Sequence, residues 1–202
     1  MEENYTNPEL HEPEMPTESP RHEALAFIWE TIKVVVISMA IIVPIRYFLV
    51  QPFFVKGASM EPTFQDGNYI LIDELTYDFR NPNRGDIIVF RFPEDRTQFF
   101  IKRVIGLPEE TIEIKNSIIK IYNKQHPEGL VLPEPYLERG QVTGGNMRVK
   151  LDPKEYFVLG DNRLRSSDSR IWGNVNRSLI TGRVFFRALP INEFGSFKTP
   201  TY

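Results

Sequence analysis

An uncharged apolar run near the N-terminus limits the possible folds of this chain more than any other feature. Residues 34–45 carry no charged side chain, but twelve residues are too few to cross a membrane, since a helix needs about 20. The flanks supply the rest: at about 1.5 Å per residue, Trp29 and Tyr47 would lie about 27 Å apart, near the two interfaces of a bilayer. The sequence therefore predicts a transmembrane anchor over residues 24–50.

Two other interpretations of this run stay open. A cleaved secretory signal has an apolar core of similar length, although the stretch before the run is long and acidic and no small-residue cleavage site follows closely. The run could also be a buried core helix of a soluble protein. Its orientation in a membrane is barely decided, because Arg21 and Lys33 on one side face Arg46 and Lys56 on the other.

The stretch before the anchor is polar. Residues 1–23 contain many Glu and Pro, and Leu10 and Met15 are almost their only large apolar residues. A segment of this composition buries too little apolar surface to offset the entropy of ordering. We therefore expect a disordered N-terminal tail over residues 1–23.

The remainder, residues 51–202, has the length of one globular domain. Its apolar runs are short, and Gly, Pro and Asn separate them, which indicates a predominantly β domain. The predicted strands are Asn68–Ile72, Asp86–Phe92, Gln98–Ile105, Thr111–Ile114, Ile118–Tyr122, Met147–Leu151, Tyr156–Leu159 and Gly182–Ala188.

The composition excludes several chemistries. The chain has no cysteine, which removes cysteine nucleophiles, disulfides and thiolate metal sites. Of its three histidines, only His126 lies outside the polar tail, and no zinc-protease motif is present, so we expect neither a histidine base nor a metal or other cofactor. The net charge of −3 lacks the positive excess that is typical of nucleic-acid-binding domains, so we do not expect nucleic acid as a partner.

Two short motifs point to a different base. Ser59 lies in a turn that Gly57 and Pro62 bound, and Lys102 lies in an apolar strand beside Phe100 and Val104. An apolar setting disfavours the ammonium form, so Lys102 could become neutral enough to take a proton from a serine hydroxyl. Each residue alone is better explained as structural, with Ser59 as a turn residue and Lys102 reaching solvent.

A third motif makes the pattern specific. Residues 160–170 read Gly-Asp-Asn-Arg-Leu-Arg-Ser-Ser-Asp-Ser-Arg, follow a predicted strand and are too polar for a core. With residues 59–63, 84–90 and 102–106, they make four ordered motifs. In these motifs the chain resembles the bacterial type I signal peptidases, membrane-anchored Ser/Lys endopeptidases that remove signal peptides from exported pre-proteins.

The resemblance implies a fold and a set of roles. The fold would be mainly β, an antiparallel-sheet catalytic domain with a small β extension within about residues 107–156, preceded by one transmembrane helix. Ser59 would be the nucleophile and Lys102 the general base. Ser166 would orient the lysine amine, and a supporting ion-pair network would comprise Asp161, Asp168, Arg103 and Arg170. Two positions depart from the family pattern: Gly57 replaces a hydroxyl donor that some relatives carry, and Arg165 replaces Asn.

The resemblance also implies partners and a location. Small side chains before the cut would enter shallow pockets formed by Phe53, Val55, Ile70, Val89 and Ile101. The partners would be signal peptides of exported pre-proteins and membrane lipid, with the protein itself a monomer. The chain would cross the cytoplasmic membrane once and carry its catalytic domain on the extracytoplasmic side.

Two alternative functions remain at this level. A self-cleaving repressor-type domain also uses a serine followed by a lysine in a related β fold, but it would be soluble and joined to a DNA-binding module. A non-catalytic, membrane-tethered binding module would follow if Ser59 and Lys102 did not meet.

Overall fold

The computed structural model describes residues 20–44, 51–197, 199, 200 and 202. Most of the predicted disordered tail, residues 1–19, lies outside the described residues, as do residues 45–50 at the far end of the predicted anchor. The other four residues of that tail, 20–23, are helical and not disordered. The chain divides between Val43 and Pro44 into two units, a helical one and a β one.

The helical unit contains helix α1, Pro20–Pro44. Its stretch from Ala24 to Val43 has a mean hydropathy of 2.1 and is long and apolar enough to cross a membrane. None of that stretch is buried in the part of the chain that the structure describes, whereas a core helix of a soluble protein would be mostly buried. Its only ion pair among the described residues joins Lys33 Nζ to Glu30 Oε1 at 2.6 Å, one turn apart.

The β unit is built around a large sheet of eight strands. Their order is β1-β2-β11-β3-β4-β9-β10, with β12 paired to β11, and all pairs are antiparallel. The strands are β1 Gln51–Phe54, β2 Tyr69–Asp73, β3 Ile87–Arg91, β4 Phe99–Gly106, β9 Glu155–Leu159, β10 Val175–Asn176, β11 Ile180–Leu189 and β12 Gly195–Ser196.

A second antiparallel sheet of four strands has the order β7-β6-β5-β8. It comprises β5 Thr111–Lys115, β6 Ile118–Tyr122, β7 Leu130–Val131 and β8 Met147–Lys150. Inward-facing isoleucines of β5 and β6 pack on residues from the ends of β4 and β9, so the two sheets share a buried core. Two short helices, α2 Thr76–Phe79 and α3 Ser169–Trp172, complete the regular structure together with 3-10 turns at Arg177–Leu179 and Ile191–Glu193.

The predicted fold class is confirmed: the described chain is mainly antiparallel β and begins with one apolar helix. All eight predicted strands occur, with ends displaced by at most two residues. The prediction missed β1, β7, β10 and β12, which are only two to four residues long. Runs that short carry too few alternations for a periodicity to be recognised.

Candidate active site

Ser59 lies in the turn between β1 and β2. The base of this turn is closed by two backbone hydrogen bonds of 2.9 Å, from Val55 to the Asn68 carbonyl and from Gly67 to the Val55 carbonyl. Gly57 has a φ of 83°, which favours glycine, and its N–H donates to Asp66 Oδ1 at 2.7 Å. The residue after Ser59, Met60, is fully buried in the core, so the backbone that carries Ser59 is firmly held.

Lys102 projects from β4 toward this turn. Its Nζ donates to Ser59 Oγ at 2.9 Å and to the Ile101 carbonyl at 2.8 Å, while the side chain remains only 4% exposed. The ammonium also lies 5.4 Å from the centre of the Phe100 ring. The structure therefore brings the serine hydroxyl and the lysine amine together within hydrogen-bond distance.

The surroundings of Lys102 favour its neutral form. Burial lowers its pKa to about 8, against an opposing effect of the negative charges of Asp168 and Asp161. At that value about one lysine in ten is neutral at pH 7, compared with less than about one in a thousand for a free lysine. A buried strand thus makes a proton acceptor of a residue that is normally a cation.

The predicted charged residues form two ion pairs beside the lysine. Arg103 follows Lys102 on β4 and donates to both carboxylate oxygens of Asp161, at 2.8 and 2.6 Å. Arg170 donates to both oxygens of Asp168, at 2.7 and 2.8 Å. Asp161 and Asp168 are fully buried, and each also accepts from a neighbour: Thr63 Oγ1 reaches Asp161 at 2.5 Å and the Gly160 N–H reaches Asp168 at 3.1 Å.

Ser166 is buried near the pair, but its hydroxyl is not engaged with Lys102. Among the described residues, Ser166 Oγ has no hydrogen-bond partner. It lies close to Gly160, where a Cβ atom would come within 2.2 Å of that oxygen. The expectation that Ser166 orients the lysine amine stays a prediction.

An open cleft of about 610 Å³ leads to the serine and the lysine. Its walls come from the segment that enters the Ser59 turn and from the start of β4, and they include all five residues predicted to hold substrate: Phe53, Val55, Ile70, Val89 and Ile101. Three of these, Val55, Ile70 and Val89, are at most 4% exposed and also belong to the core behind the cleft. Arg165, one of the two departures from the family pattern, lines the same cleft.

Sequence reasoning missed several residues that hold this site. Thr63 lies four positions after the serine, yet its partner Asp161 lies 98 positions away, so no local pattern reveals the contact. Gly160 was visible only as part of a polar motif, although the Ser59 carbonyl would lie 2.4 Å from a Cβ atom there. Among the residues that the structure describes, no group of three or more His, Cys, Asp or Glu could hold a metal ion.

A serine hydroxyl next to a buried lysine in an open cleft is the arrangement expected of a serine hydrolase with a lysine base. Residues 28–189 match the signal peptidase family, peptidase S26. A probable signal peptidase I-1 of Synechocystis is 34% identical over 192 residues, which cover 91% of this chain and 94% of the relative. A signal peptidase I of Bacillus caldolyticus is 36% identical over 165 residues, covering 78% and 90%. A solved signal peptidase I from Enterococcus faecalis is 32% identical and covers 52% of this chain and 97% of its own, with a TM-score of 0.43.

The chain belongs to the signal peptidase family and is a serine endopeptidase. The resemblance stated from the four motifs is thereby confirmed. Membership of this family favours the peptidase over the self-cleaving repressor-type domain and over the non-catalytic binding module.

Proposed function

We propose that this protein removes N-terminal signal peptides from exported pre-proteins, with Ser59 as nucleophile and Lys102 as general base. The observation that supports this most directly is the 2.9 Å contact between Ser59 Oγ and Lys102 Nζ at the end of an apolar cleft. Family membership supports the substrate class.

In the proposed reaction, neutral Lys102 takes the hydroxyl proton as Ser59 Oγ forms a bond to the scissile carbonyl carbon. The resulting ammonium returns that proton to the leaving amine when the peptide bond breaks, and an acyl-enzyme remains. Water then attacks the ester carbonyl, with Lys102 again accepting a proton. As the bond between the carbonyl carbon and Ser59 Oγ breaks, Lys102 returns that proton to Oγ, and the signal peptide leaves as a carboxylic acid that ionises in solution. The Ser59 N–H is the candidate donor to the oxyanion, while Gly57 supplies no side-chain donor.

The cleft suits an extended peptide with small side chains near the cut. Residues 53–58 and 98–102 lead toward the serine and the lysine from the same end, and backbone groups along them could pair with a substrate strand. Small residues one and three positions before the cut would enter the apolar walls formed by Phe53, Val55, Ile70, Val89 and Ile101.

We place the catalytic domain, residues 51–202 with a β extension within 107–156, outside the cytoplasm. Residues 24–50 would anchor it to the cytoplasmic membrane in a single pass, and the 1–23 tail would face the cytoplasm. An anchored monomer meets emerging signal peptides at a raised effective concentration. The apolar surface of α1 supports contact with lipid.

The test is cleavage of a pre-protein carrying Ala-x-Ala before its cut site by the full-length chain in detergent. Ser59→Ala and Lys102→Ala should each abolish cleavage while the thermal unfolding profile stays cooperative. Matched controls are Ser196→Ala in β12 and Lys120→Ala in β6, neither of which lines the cleft, and both should cleave normally. Wild-type rates in either Ser59→Ala or Lys102→Ala would overturn the assignment.

A further inference from the structure

The connection between β7 and β8 reaches across to the active site. We call residues 132–146 the bracing connection and residues 160–170 the catalytic loop. Two acceptors of the bracing connection, Glu134 and Thr143, bind Arg163 of the catalytic loop, and the Gly144 carbonyl accepts from Arg170 at 3.5 Å. The ring of Tyr136, also in the connection, lies 3.9 Å below the guanidinium of Arg103.

Arg163 is the centre of these contacts. Its side chain has no exposed surface, and every guanidinium nitrogen has a partner. Nη1 donates to Thr143 Oγ1 at 2.6 Å and to Glu134 Oε2 at 3.0 Å, Nη2 donates to Glu134 Oε1 at 2.5 Å, and Nε donates to the Gly160 carbonyl at 3.0 Å. A buried cation of this kind is tolerated only with its partners, so removal of Glu134 would leave an uncompensated charge inside the protein.

Tyr136 links Arg163 to Arg103. Its hydroxyl donates to Glu134 Oε1 at 2.7 Å and accepts from Arg163 Nη2 at 3.3 Å, while its ring stacks on Arg103. Arg103 is the residue after Lys102, and it holds Asp161. The bracing connection therefore contacts two arginines, Arg103 of β4 and Arg163 of the catalytic loop.

We propose that the bracing connection is a positioning element of the active site, in which Glu134, Tyr136 and Thr143 hold Arg163 and Arg103 and, through Arg103, the Asp161 carboxylate that acts on Lys102. This proposal rests on the proposed function, because the reaction supplies its readout. It gives the small sheet a role in the chemistry although none of these three residues touches the serine or the lysine.

The charges facing Lys102 decide the sign of the expected effect. Asp161 and Asp168, both from the catalytic loop, raise its pKa against the larger lowering by burial. Arg103 of β4 and Arg170 of α3 partner those carboxylates, and Arg163 also interacts with Asp161. Glu134→Gln removes the negative charge that partners Arg163. The Arg163 charge then offsets more of the Asp161 charge, and it is the Asp161 charge that raises the pKa of Lys102. The acid limb of the pH profile should therefore move to lower pH.

The experiment compares Glu134→Gln with Glu138→Gln in the full-length protein, with the Ala-x-Ala pre-protein as substrate. Glu138 lies in the same connection, is exposed and has no ion-pair partner among the described residues, so it controls for the change in net charge. For Glu134→Gln, kcat should fall roughly tenfold to a hundredfold through misplacement, and the acid limb should move by about half a pH unit. KM should stay close to the wild-type value, because no cleft residue changes, and Glu138→Gln should match the wild type throughout.

A second pair keeps the test decisive if Glu134→Gln fails to fold. Thr143→Val removes an acceptor of Arg163 without changing charge, and Thr143→Ser restores the hydroxyl. A fall in kcat in the first that the second rescues supports the proposal. Variants that fold, whatever their thermal stability, but keep the wild-type kcat and acid limb would overturn it. A wild-type protein that does not cleave the pre-protein would instead reject the proposed function.

Discussion

Lys102 is held in a position that disfavours its charge, and this has an energetic consequence. Its folded pKa of about 8 lies below the ordinary value of 10.5 because of burial. The unfolded chain therefore binds more protons between those two pH values, and the free energy of unfolding rises as the pH rises through that window. Below pH 8 the full destabilisation is present, with an upper limit of about 3 kcal/mol.

We accordingly expect Lys102→Met to be inactive but more stable than the wild type at neutral pH. The replacement keeps most of the length of the side chain and removes the buried amine, and removal of such a functional group commonly raises stability. Thermal unfolding at pH 7 and pH 9.5 measures this, and the gain in Tm should shrink at the higher pH. An equal or lower Tm at pH 7 would contradict the view that the lysine is buried at a cost.

The same shift predicts the pH dependence of cleavage. If neutral Lys102 is the base, kcat/KM should follow the deprotonated fraction, increasing about fivefold from pH 7 to pH 8 and less than about twofold from pH 8 to pH 9. Initial rates at low substrate concentration give this profile. A rate that is flat from pH 6 to pH 9 would show that another group accepts the proton.

Gly160 is a residue whose side chain must be absent. A Cβ atom there would lie 2.2 Å from Ser166 Oγ and 2.4 Å from the Ser59 carbonyl oxygen, both far too close. We expect Gly160→Ala to displace the serine backbone and lower kcat by roughly a hundredfold. Gly144→Ala is the matched control, since a Cβ atom at that position meets nothing within 4 Å and the Gly144 contact with Arg170 is made by the backbone carbonyl, which alanine keeps. Equal activities of the two variants, measured on the same pre-protein, would contradict this role of Gly160.

At the scale of elements, local pattern predicted what depends on local pattern. Apolar runs bounded by turn residues gave eight strands, among them β4 with its lysine. The bracing connection could not be predicted, because Glu134 and Arg163 are 29 positions apart and neither has a local signal for the other. The long-range contacts of Thr63 and of Glu134 depend on tertiary packing. Such contacts leave no periodic pattern in a single sequence.

Strands β3 and β4 jointly shape the wall of the cleft. Val89 and Ile101 are paired across these strands, and both line the cleft that leads to Ser59. We predict that Ile101→Ala will widen the wall and raise kcat/KM for a pre-protein with Val in place of Ala before the cut, relative to the Ala substrate, by about tenfold. Val131→Ala in β7, an exposed position away from the cleft, should leave this ratio unchanged. A ratio that is also unchanged in Ile101→Ala would mean that this strand does not select side-chain size.

For the whole molecule, helix α1 and the β unit differ in how their apolar side chains are covered. The β unit buries three apolar clusters within itself, whereas the side chains of α1 from Ala24 to Val43 are not buried among the described residues. The 20 residues of that stretch span about 30 Å as a helix, which matches the hydrocarbon core of a bilayer. Lipid is therefore the environment that would cover this surface.

We expect the full-length chain to stay with membranes through high-salt and alkaline carbonate washes and to be extracted by detergent. The double variant Ile37→Arg, Ile41→Arg should be released, because each arginine near the centre of a spanning helix costs about 2.5 to 3.5 kcal/mol. The control Ile191→Arg, Phe194→Arg changes two exposed apolar residues of the β unit and should remain in the membrane fraction.

In detergent, where the anchor gives no advantage, the α1 variant should cleave pre-protein at the wild-type rate, but with substrate in vesicles it should be slower, since the effective concentration is lost. Retention of the α1 variant after the carbonate wash would show that something other than this helix holds the protein to the membrane.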